Sequence, residues 1–123
     1  MARINSFEEI TAWQKARVLN LEIYTATGAT GAFSKNFVLR DQIRRASVSI
    51  SSNIAEGFER ETTKEFIRFL YIAKGSAGEV RSQLYLAFDL KYISEKNFEK
   101  LKNEVTDISK LLSGLIKYLN STL

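Results

Sequence analysis

The 123-residue chain has no cysteine, no histidine and no proline, and only six glycines. Without Cys, neither a disulfide framework nor a thiolate metal site can form. Without His, the usual general base near neutral pH and the commonest nitrogen ligand for metals are both missing, which removes most hydrolytic and metal-dependent chemistry. No pair of carboxylates stands out from ordinary helix-surface charge. The sequence therefore predicts no catalytic residues, no metal site and no cofactor, and the chain reads as a protein that is not an enzyme. No apolar run approaches the roughly 18 residues that a membrane span needs, and the opening MARINSFEEI lacks the apolar centre of a secretion signal. A cytoplasmic protein with no membrane role is expected.

What is present is helical. With no Pro to interrupt and few Gly to turn, long helices are the natural reading, and the length suits one domain over residues 1–123. The spacing predicts a first helix from about Phe7 to Thr27, entered through a capping box of Ser6 and Glu9 and closed by Gly28 and Gly31. A polar loop around Ser34 to Asn36 precedes a second helix, roughly Phe37 to Phe58, with the inward stripe Leu39, Ile43, Ala46, Ile50, Ile54 and Gly57. Thr62 and Glu65 form a second capping-box pattern. They open a third helix to about Leu90 with the stripe Phe66, Leu70, Ala73, Ala77, Val80, Leu84 and Ala87. Ser94 caps the fourth, whose apolar positions from Phe98 to Leu119 alternate by three and four. The fold class expected is all-α, an antiparallel up-down four-helix bundle.

Several features exceed a plain bundle. The third helix carries a second row, Ile67, Tyr71, Gly78 and Tyr85, with Lys74 and Arg81 between, which one bundle cannot cover. In the first helix Ile10, Trp13, Leu21 and Tyr24 define one face, and Ala12, Ala16, Leu19 and Ile23 nearly the opposite one. Both rows are read as surfaces for self-association, and Gly75 and Gly78 as sites of close backbone approach. The run from Ala46 to Ala55 is rich in Ser and β-branched residues and so poor in helix propensity. Tight helix packing is one account of it; a polar site of Arg44, Arg45, Asn53 and Glu56 is the other. In either case Asn53 and Glu56 are expected to be structural. The net charge is +4, and the segment from Lys35 to Arg45 is locally +3. Basic helical surface is the footprint of a nucleic-acid binder, although no base-reading motif accompanies it.

The stretch QIRRASVSISSNIAEGFER, from Gln42 to Arg60, followed by KEFIRFLYIAKGSAGEVRSQL, from Lys64 to Leu84, resembles a bacterial four-helix-bundle family. That family is named for proteins encoded in intervening sequences of 23S ribosomal RNA genes. AWQKA and the Ile23–Tyr24 pair resemble its first helix, so the likeness covers nearly the whole chain, with NIAEG at Asn53 to Gly57 its most specific segment. Where family members often carry a Pro before the second long helix, this chain reads AFSKNF. The resemblance implies a ring-like homo-oligomer, a pentamer, without implying an activity. A related accessory protein of diversity-generating retroelements is a basic ring that engages RNA and a reverse transcriptase. The family name records gene location, and no extended basic tail of a ribosomal protein is present.

Two functions stay open. One is an oligomeric module that binds RNA or other nucleic acid through Arg40, Arg44 and Arg45 with Arg68, Lys74 and Arg81. The other is an assembly scaffold that binds a partner protein and has no nucleic-acid role.

Overall fold

The computed structural model describes residues 3–28 and 30–123; Met1, Ala2 and Ala29 lie outside the described residues. A 3₁₀ turn over Phe7–Glu9 precedes five helices: α1 Thr11–Ala26, α2 Ala32–Lys35, α3 Phe37–Glu59, α4 Thr63–Asp89 and α5 Glu95–Ser121. Four of these are long, as the apolar periodicity required, and they surround one core. The extensively packed pairs are α1 with α3, α3 with α4, α4 with α5, and α5 with α1.

Thr27 after α1 touches Arg44 of α3, Gly57 of α3 abuts Phe66 and Phe69 of α4, Phe88 of α4 stacks on Phe98 of α5 at 4.6 Å, and Lys100 of α5 reaches Glu22 of α1 at 2.9 Å.

The caps explain most boundaries. Thr62 accepts a hydrogen bond from the Glu65 amide at 3.1 Å, and Ser94 accepts one from the Asn97 amide at 3.1 Å; each satisfies an amide that the first turn leaves orphaned. Asn36 does the same for Leu39 at 3.1 Å, so the expected loop around Ser34 to Asn36 is instead the short α2 followed at once by the cap of α3. The Ser6–Glu9 capping box does not form. Ser6 makes no side-chain cap, Glu9 lies 3.4 Å from the Asn5 amide, and the extended backbone of Ile10 separates the 3₁₀ turn from α1. Helix α4 ends with Lys91 in the left-handed region at φ 63°. The Lys91 amide donates to Phe88 O and the Tyr92 amide to Ala87 O, both at 2.9 Å, which closes the last carbonyls of the helix.

The stripes that the spacing named on α3 and α4 are buried, and so is that of α5 except for the half-buried Leu119, with Ile116 added. Helix α1 corrects the reading. Ala12, Ala16, Leu19 and Ile23, expected at a subunit contact, are at most 2% exposed and form the face by which α1 joins the bundle's own core. Ile67 is likewise buried in that core. Both faces of α1 looked apolar in sequence; the face with the small side chains is buried whole, while of the other Ile10 is buried and Trp13 packs against the core. The residues left outside on α1 are Val18, Leu21 and Tyr24.

Candidate nucleic-acid interface

The six cations expected to form one basic surface do different jobs. Arg44 is tied to the end of α1: its Nε donates to Thr27 Oγ1 at 2.7 Å, its Nη2 donates to Thr27 O at 3.0 Å, and the guanidinium lies 4.4 Å over the Tyr24 ring. Thr27 is fully buried, so this Arg satisfies a carbonyl that water cannot reach. Arg40 bonds Ser34 O at 3.2 Å and Asp41 at 3.0 Å, and lies 4.7 Å over Phe37. Two arginines of the expected patch thus clamp the corner of α1, α2 and α3. Arg45 is exposed and makes no ion pair among the described residues.

On α4, Arg68 pairs with Glu65 at 3.3 Å in an exposed contact, a kind worth little net energy. Lys74 and Arg81 make no ion pair among the described residues. Both face α5. Lys74 lines a cavity of about 300 Å³ with Tyr71 on α4 and Ser113, Ile116, Lys117 and Asn120 on α5. At the other end of this seam Lys102 of α5 lies 5.8 Å over the Tyr85 ring and 5.2 Å over Phe98, with Glu99 at 3.4 Å. Lys102 and Lys117 are basic residues that sequence reasoning missed. The signal for them was only their place beside the α5 stripe, because periodicity within one helix does not say which neighbour that edge will meet. Tyr71 and Tyr85 are 55% and 48% exposed, and a Cβ at Gly75 or Gly78 would have nothing within 4 Å.

The Ser-rich run of α3 is a set of polar contacts to both neighbours. Toward α1, Ser47 Oγ donates to Asn20 Oδ1 at 2.8 Å and Asn20 Nδ2 donates to Ser51 Oγ at 3.0 Å. Toward α4, the Ser49 and Ser76 hydroxyls lie 2.9 Å apart. Asn53 does not bridge helices itself: its Nδ2 donates back to Ser49 O at 2.8 Å and to Ser49 Oγ at 2.9 Å, steadying the hydroxyl that does. Glu56 is exposed, 3.7 Å from Arg60. Arg44, Arg45, Asn53 and Glu56 are therefore not gathered into one site: Arg44 faces α1, Asn53 faces α4, and the exposed Arg45 and Glu56 point outward.

One ionisable group is strongly displaced. Burial pushes the Glu104 carboxyl up to about 7, helped by hydrogen bonding to Glu22 and by that residue's charge, against the opposing pull of Lys100 and Lys15. Its Oε2 is buried with no hydrogen-bond partner among the described residues. A proton resolves the mismatch, since a protonated Glu104 becomes a donor toward Glu22. Lys100 is raised by its hydrogen bond to Glu22. Among the described residues no group of three or more Asp or Glu could hold a metal ion, and no helix is long and apolar enough to cross a membrane.

None of the curated proteins matches the chain. A solved structure that does match is that of a protein with unknown function from the S23 ribosomal protein family of Bacteroides thetaiotaomicron. It is 31% identical, with a TM-score of 0.80, over 87% of this chain and 99% of that one. The sequence model described as 23S rRNA-intervening sequence protein matches residues 8–114. With that match covering α1, α3 and α4 whole and most of α5, the chain belongs to the 23S rRNA-intervening sequence protein family.

Proposed function

We infer that this protein is a non-enzymatic, self-assembling module of the cytoplasm that holds nucleic acid through cations left without an acidic partner. The observation that carries the reading is the set Arg45, Lys74 and Arg81. These side chains have no acidic partner among the described residues, in a chain of net charge +4. Their charge is available to phosphate, whereas that of Arg40 and Arg44 is spent inside the fold. Arg68 joins them, because an exposed pair with Glu65 exchanges for phosphate at little cost. The bundle is taken as antiparallel and up-down, each long helix meeting the start of the next with its end. Its ring partners, five subunits in the arrangement the family resemblance implies, are taken to meet through side chains that one chain leaves uncovered. Leu21, at 68% exposed, with Val18 and Tyr24 on the same side of α1, is the first candidate.

Binding of this kind is electrostatic and indifferent to sequence, since phosphate contacts position a protein without reading bases. Retention of structured RNA should fall steeply with salt, and a ring should strengthen it by presenting the same cations several times. The test is filter retention at low and high salt with mass followed by light scattering. Arg45→Gln/Lys74→Gln/Arg81→Gln should lose retention at unchanged mass, and Arg40→Gln should not. A natural oligomer that retains no RNA at low salt would defeat the reading. The exposed apolar face of α1 would then favour the protein-binding scaffold instead.

A further inference from the structure

On the nucleic-acid reading above, we propose that the seam between α4 and α5 is a trough for single-stranded nucleic acid, with bases stacked on Tyr71 and Tyr85 and phosphates held by Lys74, Arg81 and Lys117. Lys74 and Lys117 line one cavity of about 300 Å³ whose other lining residues, Tyr71, Ser113, Ile116 and Asn120, include no acid. Two like charges facing one space without a carboxylate repel each other, and an anion placed between them relieves that repulsion. Arg81 lies seven residues beyond Lys74 on the same side of α4, so the cations continue along the seam toward Lys102. The acid at that far end, Glu99, is already paired with Lys102 at 3.4 Å.

The tyrosines supply what a phosphate site alone lacks. Each is about half exposed, and they stand fourteen residues apart on α4, about 21 Å along the helix. In a duplex both faces of a base are already stacked, so a ring on a helix surface could reach only the backbone. A single strand presents free base faces to aromatic side chains and its phosphates to the cations between them. Gly78 lies midway, with open space where its Cβ would be. A glycine there costs the helix about 1 kcal/mol relative to Ala, and within the chain it permits no close contact; in the trough it keeps the floor low between the two rings. A second copy of this chain fits the seam less well, because an apolar contact would bury Lys74, Arg81 and Lys117 without counter-charge.

Fluorescence anisotropy tests this with a labelled oligouridylate of about 12 nucleotides and a duplex RNA of the same length, at one salt concentration and with oligomeric mass followed. The natural protein should hold the single strand about tenfold tighter than the duplex or better. Tyr71→Leu/Tyr85→Leu keeps apolar bulk where Tyr85 packs on Phe98. It should weaken single-strand binding about tenfold or more while leaving the duplex unchanged. Lys74→Gln/Lys117→Gln should weaken both ligands. Equal affinity for the two ligands, or a silent Tyr71→Leu/Tyr85→Leu variant, overturns the trough while the general nucleic-acid reading survives. So does Lys74→Gln/Lys117→Gln without effect in a protein that still binds. A fall in mass on changing the tyrosines overturns it in favour of a second copy in the seam. Failure of the natural protein to bind either ligand at low salt removes both readings together.

Discussion

Gly57→Ala puts the packing of α3 on α4 to a sharp test. Helix propensity alone predicts that the change stabilises, since Ala is better than Gly by about 1 kcal/mol inside a helix. The structure predicts the opposite. A Cβ at Gly57 would lie 2.5 Å from Phe69 Cβ, 3.1 Å from Phe66 Cδ1 and 3.3 Å from Phe66 O, against about 3.5–4.0 Å for comfortable carbon contacts. Phe69 Cβ is fixed to the α4 backbone and cannot rotate away, so the helices must part by about 1 Å just where the short turn of Arg60 to Thr62 holds them. Overpacking of this kind costs about 1–3 kcal/mol. With the closest contact so short, the upper part of that range applies, and subtracting the propensity gain leaves a net loss of about 1–2 kcal/mol. Urea unfolding at fixed subunit concentration, followed by circular dichroism, reads this directly. Gly75→Ala and Gly78→Ala are the controls: both positions are open, and each should stabilise the isolated fold by about 0.5–1 kcal/mol. If Gly57→Ala proves as stable as the natural protein, the close approach is not what the glycine serves.

Arg44→Gln should cost about 1–3 kcal/mol by stranding the buried Thr27 carbonyl, and should speed amide exchange at the end of α1; Arg45→Gln should change stability by less than about 0.5 kcal/mol, and equal stability of the two variants would refute the structural role of Arg44. Because the folded pKa of Glu104 is raised from 4.5 to about 7, its contribution to stability is complete below the unfolded value and is lost as pH rises through about 7. Urea midpoints should therefore fall between about pH 5 and about pH 8, and Glu104→Gln, which keeps a donor toward Glu22, should flatten that slope. Superimposable pH profiles for the two proteins would count against the proton on Glu104.

The long helices were legible before any coordinates, because a stripe such as Leu39, Ile43, Ala46, Ile50 and Ile54 needs only the 3.6-residue period to be recognised, and Thr62 and Ser94 cap by purely local chemistry. The family was legible too, since NIAEG and its flanks are matters of residue identity. Within the packed fold, tertiary structure assigned α1's second apolar face to the core, because two faces of one helix look alike until a neighbour covers one. It also separated the basic residues. In sequence Arg40, Arg44 and Arg45 form one charged run, but rotation about the helix axis turns Arg44 onto the end of α1 and leaves Arg45 in solvent. Conversely it joined Lys74 to Lys117, which are far apart along the chain and meet only because α4 and α5 pack side by side. Periodicity is a property of one helix, which a sequence carries in full; the choice of which helix faces which is a property of the pair, settled by how side chains fill the space between them.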